Sequence, residues 1–352
     1  MRKGVQYFCC LLISVSGITA AAQTRELSFY EIRPTAAAPV IDGKLDEECW
    51  RTANRHSAYY EYFKPNPGPG ALKTEFRMVY DARGLYLAVI NYENRIGELR
   101  KNITDRDNPE LWTDDCAELY FDPAADSIGF TKFTVNALGT SGDMRRIDNA
   151  VSLPEWNGNG WHVATSIEAD RWIIEAFFPW EDLGRSAAAG DLWMFCHTRY
   201  SFIGNKFCGV TSSPGGNYNA TGNFGYLYFA GEGKDAPLEQ IAALLGSRIV
   251  PPWSLSMGEK MVFDLGQGTR ILPVAGIYRE ECHRVEQLIG ELEKYTENPL
   301  VQDARDAFMN VKEEYRKLLS DNGTGSAYRA VSGIRNRLDD MKWQWKLKTQ
   351  FN

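Results

Sequence analysis

The sequence predicts a mainly β protein, a jelly-roll-like antiparallel β-sandwich followed by a C-terminal α-helical hairpin or three-helix unit. Three observations predict it. From Glu26 to about Gly231 the chain is a series of short apolar or alternating runs cut by turn residues. Few segments in that stretch repeat at helical spacing. After Ile277 the period changes to that of amphipathic helices.

The N-terminus comes first. Arg2 and Lys3 precede the apolar run from Tyr7 to Ile13, and small residues lead to Ala20, Ala21 and Ala22. This is the pattern of a signal peptide over 1–22, cleaved after Ala22, and it predicts an exported protein of the periplasm, cell surface or medium. No later run approaches the ~20 apolar residues of a membrane span. The sandwich is expected over 23–231. Within it Thr74 to Asp81 alternates and turns through Ala82, Arg83 and Gly84 into Leu85 to Tyr92, which is a hairpin. Further strands are expected at Cys116 to Asp122, Gly129 to Ala137, Asp143 to Ile147, Trp161 to Glu168, Arg171 to Phe178, Leu192 to Tyr200 and Phe224 to Phe229.

Residues 232–276 read as a connector, with a short helix over Pro237 to Leu245, a break at Pro251 and Pro252, and a strand over Lys260 to Asp264. The region 277–352 carries stripes of Val285, Leu288, Ile289 and Leu292, of Ala304, Phe308, Val311, Tyr315 and Leu318, and of Val331, Ile334, Leu338, Met341 and Trp345. Asn298, Pro299 and the Asp321, Asn322, Gly323 run separate them. Such stripes are packing surface.

Composition narrows the partners. With 44% hydrophobic residues and a net charge of -7, the chain buries a core and lacks the basic clusters that neutralise phosphate, so nucleic acid is set aside. Cys49, Cys116, Cys196, Cys208 and Cys282 follow the leader without paired spacing; Cys116, Cys196 and Cys208 sit in apolar runs and read as free buried thiols.

The most informative segment is Leu111 to Asp122. Trp112 precedes the strand, where a loop exposes its ring, and alternation then puts Cys116, Glu118, Tyr120 and Asp122 on one face and Ala117, Leu119 and Phe121 on the core face. An aromatic plane beside a carboxylate suits a sugar, whose apolar C–H face stacks while its hydroxyls donate to the acid.

Ordered blocks widen the pattern: Ile41 to Trp50, Phe76 to Asp81 with Gly84 to Val89, Trp112 to Asp122, Phe133 to Asn136, Trp172 to Ala176 with Phe178, Pro179 and Trp180, and Phe224 to Leu227. In this order, from about Pro39 to Ala230, they resemble the family 9 carbohydrate-binding modules and their DOMON-like relatives. The resemblance implies a sandwich that binds the ends of sugar chains between two aromatic side chains. Trp112 matches the first, Glu118 the carboxylate and Asn136 a polar strand position. Thr134 stands where sugar-binding members carry an Arg, and Arg145, or its neighbour Arg146, is the candidate replacement for that charge. Tyr218 falls near the second aromatic. Members of the family often bind structural calcium, for which Asp42 and Asp46, with Glu47, are the candidates here, turn formation being the competing role.

The expected function is non-catalytic carbohydrate binding, associated with polysaccharide breakdown. Two alternatives stay open. One is a component of a glycoside hydrolase, although the chain beyond the sandwich leaves no room for a catalytic barrel of ~250 residues. The other is a sandwich without sugar binding that serves as a protein scaffold, Trp343 and Trp345 on the last helix being its contact residues and self-association through the tail its form of assembly.

Overall fold

The structure, a computed structural model, describes residues 24–64, 68–148, 151–217, 220–233, 237–319 and 325–350. The expected signal peptide, Tyr218 and the Asp321 to Gly323 punctuation lie outside these residues.

Strands β1 (Arg25–Leu27), β2 (Phe29–Pro34), β3 (Tyr60–Glu61), β4 (Thr74–Tyr80), β5 (Gly84–Tyr92), β6 (Cys116–Asp122), β7 (Phe130–Asn136), β8 (Ser141–Arg146), β9 (Ser152–Leu153), β10 (His162–Ile167), β11 (Arg171–Pro179), β12 (Leu192–Ser201), β13 (Cys208–Thr211) and β14 (Gly225–Phe229) occupy the N-terminal two thirds. Two short helices, α1 (Glu48–Thr52) and α2 (Trp180–Leu183), interrupt them. All but β1 join in one curled sheet of order β10-β11-β5-β4-β2-β14-β12-β6-β7-β8-β9, with β13 beside β12 and β3 beside β13. The curl is made at β2. Phe29 to Ile32 pair with β14, and Arg33 and Pro34 pair with β4, so one strand passes from one layer to the other.

The two layers close on a shared core. Phe76, Leu87, Val89, Ile174 and Phe178 face Leu119, Phe121, Phe133, Phe195 and Leu227, all buried. The period-2 pattern of the sequence produces this inner face directly, because successive side chains alternate across the pleat. The hairpin is β4–β5 and the strand expected at Cys116 to Asp122 is β6.

Within the stretch expected as a connector, the helix expected over Pro237 to Leu245 and the strand expected over Lys260 to Asp264 are both present, and two further strands join them. Helix α3 (Leu238–Arg248) is followed by β15 (Trp253–Met257), β16 (Lys260–Asp264) and β17 (Arg270–Pro273). With β1 they form a second sheet of order β1-β15-β16-β17. Leu245, Trp253, Leu255 and Val262 pack with Tyr120, Met194, Cys196 and Tyr226 from the outer face of the sandwich. The outer face of β6 and β12 is therefore covered at its Asp122 end.

The tail is a three-helix unit, α4 (Val274–Glu293), α5 (Arg305–Leu318) and α6 (Gly325–Gln350), closed over Val285, Leu292, Phe308, Val331, Ile334 and Leu338. Trp343 is exposed, but Trp345 is buried against Phe308, ring centroids 5.6 Å apart, so it belongs to the core and is no contact residue. Their spacing of two residues puts them on different sides of the helix. No helix among the described residues is long and apolar enough to cross a membrane. The five cysteines are free thiols. Cys116 and Cys196 are buried as expected, whereas Cys208 is half-buried at the start of β13.

Candidate functional site

Leu111–Thr113 form a single 3-10 turn that leads into β6. Leu111 is its inward anchor and Trp112 points out, 48% exposed. The turn is held from behind. Asp114 accepts from the backbone N–H groups of Asn102 (3.0 Å) and Ile103 (2.9 Å), and Asp115 from those of Arg100 (2.7 Å) and Phe202 (3.3 Å). Two adjacent acids thus serve as loop staples, with the Trp ring left free at the sheet edge.

Asn136 completes this bracing. It is fully buried, and its Nδ2 donates to the Ile103 carbonyl and to Asp114 Oδ2, each at 2.9 Å, while its Oδ1 accepts from Leu138 N (3.0 Å) and Thr140 N (2.9 Å). A carboxamide offers two donors and two lone pairs, and all four are used. The residue positions Trp112 through Asp114 and has nothing left for a ligand.

Glu118 lies two residues along β6 from Cys116, opposite Thr134 on β7 and Thr198 on β12. It is buried, with Oε1 accepting from Lys132 Nζ (2.9 Å) and Oε2 from the hydroxyls of Tyr120 (2.5 Å) and Tyr200 (2.8 Å). Burial pushes its pKa up, but the Lys132 ammonium and the hydrogen bonds outweigh burial and hold the carboxyl below the usual range. The carboxylate is the anchor of a polar floor whose partly exposed group is the Lys132 ammonium; the Tyr200 hydroxyl is buried, and Tyr62 reaches it at 3.3 Å. Thr134 is buried beside them. Lys132, two residues before Thr134 and on the same face, supplies a cation next to Glu118.

Arg145 sits elsewhere. Its partner in the ladder is Thr131, which alternates with Lys132, so it emerges on the face opposite Glu118. There it donates to the Asp182 carbonyl at 2.9 Å and lies over the Trp156 ring at 4.3 Å. Arg146 shares the Glu118 face but stands over Phe130, further along the sheet. The charge expected from either is not brought to Glu118.

Asp42 is engaged with Lys44 at 3.1 Å, and its backbone N–H, with that of Gly43, donates to Glu175. Glu175 also accepts from Trp50 Nε1 at 2.9 Å, so the Ile41 to Trp50 block is clasped to the sandwich by one buried acid. Asp42 and Asp46 do not fit a calcium site: an ammonium occupies the first, and among the described residues no three His, Cys, Asp or Glu side chains gather as metal ligands.

Sequence reasoning missed an aromatic cluster beside this floor. Tyr62 packs edge-on against Tyr200, Phe207 and Phe63, with ring centroids 5.4, 5.7 and 4.9 Å away. Phe202 lies 5.4 Å from Phe207 and under the Arg100 guanidinium at 4.3 Å. Its signal in the sequence is the Tyr59, Tyr60, Tyr62, Phe63 run and the Tyr200, Phe202, Phe207 spacing.

The fold is thus a curled β-sandwich with the Trp112 turn at the head of β6. Residues 41–232 match the family described as carbohydrate family 9 binding domain-like, and the chain belongs to that family. Among solved structures the chain is similar to a family 9 carbohydrate-binding module from Caldicellulosiruptor kristjanssonii in complex with cellotriose. The identity is 15% over 59% of this chain and 97% of that one, with a TM-score of 0.41. A family 9 module from the same organism in complex with glucose gives 14% identity, 58% and 98% coverage and a TM-score of 0.40. A putative carbohydrate-binding protein from Bacteroides uniformis gives 16% identity, 58% and 99% coverage and a TM-score of 0.46. No curated protein matches.

Proposed function

We propose that this is an exported, non-catalytic carbohydrate-binding protein whose Trp112 stacks on a sugar ring, with Tyr218 approaching the same ring and with polysaccharide breakdown as its setting. The observation that carries the reading is the placement of Trp112. A large apolar ring is 48% exposed on a turn that four backbone N–H bonds to Asp114 and Asp115 hold rigid, at the head of the strand that bears Glu118. A pre-positioned flat surface costs little ordering when a ring docks on it. The floor then supplies what sugar hydroxyls need. Lys132 donates, and Glu118 behind it, held in turn by the buried Tyr200 hydroxyl, fixes its orientation.

A wild-type glycan array tests this. Retention of neutral glycans, reduced for glycans capped at the ring that docks, is expected. An array without any bound glycan contradicts the proposal. The signal-peptide reading is tested separately by N-terminal sequencing of secreted material, where Gln23 is expected as the first residue.

A further inference from the structure

We propose that the joint between the sandwich and the second sheet is a separate ligand site, which takes a free α-amino acid with an apolar side chain. Glu31 receives its ammonium, Lys260 its carboxylate, and Phe29, Leu238 and Met257 its side chain. Strand pairing makes the joint. Only Ser28 separates β1 from β2, yet β1 runs parallel to β15 in the second sheet, Leu27 opposite Leu255, whereas β2 runs parallel to β14 in the sandwich, Phe29 opposite Tyr226. Past Ser28, β2 and the end of β15 belong to different sheets and part. Between them opens a cleft of about 470 Å³, within the ~300–1,000 Å³ usual for small-molecule sites, which favour such interfaces. Phe29, Glu31, Leu238, Met257 and Lys260 all line it, and all lie outside residues 41–232 that match the carbohydrate-binding family.

The lining sorts by chemistry. Phe29, Leu238 and Met257 are half-buried and pack on the apolar cluster that joins the two sheets. Phe29 is held from behind by stacking on Tyr228, ring centroids 5.8 Å apart and planes 25° from parallel. Glu31 stands two residues along β2 on the same face. It is buried, its Oε1 accepts from Arg33 at 3.1 Å, and its Oε2 takes no bond among the described residues. Asn54 Nδ2 donates to the Glu31 carbonyl at 3.0 Å and fixes this wall. His56 beside it adds no charge at neutral pH, because burial pushes its pKa down to about 4. Lys260 opens β16, is exposed, and forms no ion pair among the described residues, with Glu31 or any other acid. An acid and a base that line one cleft without meeting each other suit a ligand that carries both charges. A ligand with one charge would leave the other group desolvated and unpaired, which is costly. The apolar wall then selects among zwitterions for a side chain that gains by leaving water.

The test is calorimetric titration of the protein with L-leucine, L-methionine and L-phenylalanine, each beside its methyl ester, which lacks the carboxylate, and its N-acetyl derivative, which lacks the ammonium. Wild type is expected to bind at least one of the amino acids and to bind both derivatives of it at least tenfold more weakly, a step of ~1.4 kcal/mol. Lys260→Gln, at an exposed position that leaves the fold intact, is expected to weaken the amino acid about tenfold and to leave the methyl ester unchanged. Glu31→Gln is expected to weaken the amino acid to a similar extent and to leave the N-acetyl derivative unchanged. Trp112→Ala is expected to bind the amino acid as wild type does, which separates this site from the sugar platform. The proposal is overturned if wild type binds none of the three amino acids, if either derivative binds as tightly as its parent, if Lys260→Gln leaves the affinity unchanged, or if Trp112→Ala abolishes it.

Discussion

Replacing Asn136 by Ala removes a side chain that the resemblance assigns to ligand contact and that the structure makes a brace. The side chain is wholly buried and forms four hydrogen bonds. At ~1 kcal/mol net each, the sum is about 4 kcal/mol. Two acceptors keep other donors, since Thr140 Oγ1 still reaches the Ile103 carbonyl at 2.8 Å and Ile103 N still reaches Asp114 Oδ2. The expected loss is therefore about 3 kcal/mol, or roughly 6–12 °C in Tm for a unit of this size. Calorimetric melting with far-UV and near-UV circular dichroism measures it. Any loss of sugar affinity should track unfolding and disappear at temperatures where the variant is folded. A variant that melts within 1–2 °C of wild type and yet binds no sugar would refute the reasoning, because Asn136 would then be a ligand contact and no brace.

Three further outcomes follow from the same geometry. Glu118→Gln leaves Lys132 facing a neutral amide, and breaking a buried pair of this kind costs ~3–5 kcal/mol; chemical denaturation at neutral pH should show it. Because the folded Glu118 pKa is depressed, its contribution is present above the unfolded carboxyl pKa and is lost as pH falls through the folded value, so the wild-type and Glu118→Gln stability curves should converge as pH falls below the unfolded carboxyl pKa. Asp122 has the opposite sign. Burial raises its pKa to about 6 despite bonds from Ser127 and Ala125, so its stabilisation is full below the unfolded pKa and declines as pH rises toward 6. Asp122→Asn should flatten the stability profile between pH 4 and about 6, and an unchanged slope would count against the assignment.

The fold was legible where side-chain period and burial agree. β4, β5 and β6 alternate cleanly because one face packs in the sandwich, and the tail helices show their stripes because each buries only one side. The second sheet was obscure because its order is set at long range. β1 pairs with β15 across more than two hundred residues, and no local pattern encodes that. The site divides in the same way. Trp112 could be found from its position before a strand, and Glu118 from alternation. Which partner satisfies Glu118 depends on Tyr200, eighty-two residues away, and which face Arg145 takes depends on the β7–β8 register. Asn136 could be read as polar and strand-borne, yet its use as a brace needed the Ile103 loop in place. Tyr62, Phe63 and Phe207 carried no motif, and only the pairing of β3, β12 and β13 brings them together.

The central claim is that Trp112 is a rigid platform and not a structural residue. Titration calorimetry of wild type and Trp112→Ala against the strongest array ligand, with melting of both proteins, tests it most directly. Stacking that covers roughly 80 Å² of ring face is worth ~2 kcal/mol, so a loss of about thirtyfold in affinity is predicted, with stability within ~0.5 kcal/mol of wild type for an exposed site. Equal affinities in the two proteins, both fully folded, would contradict the account.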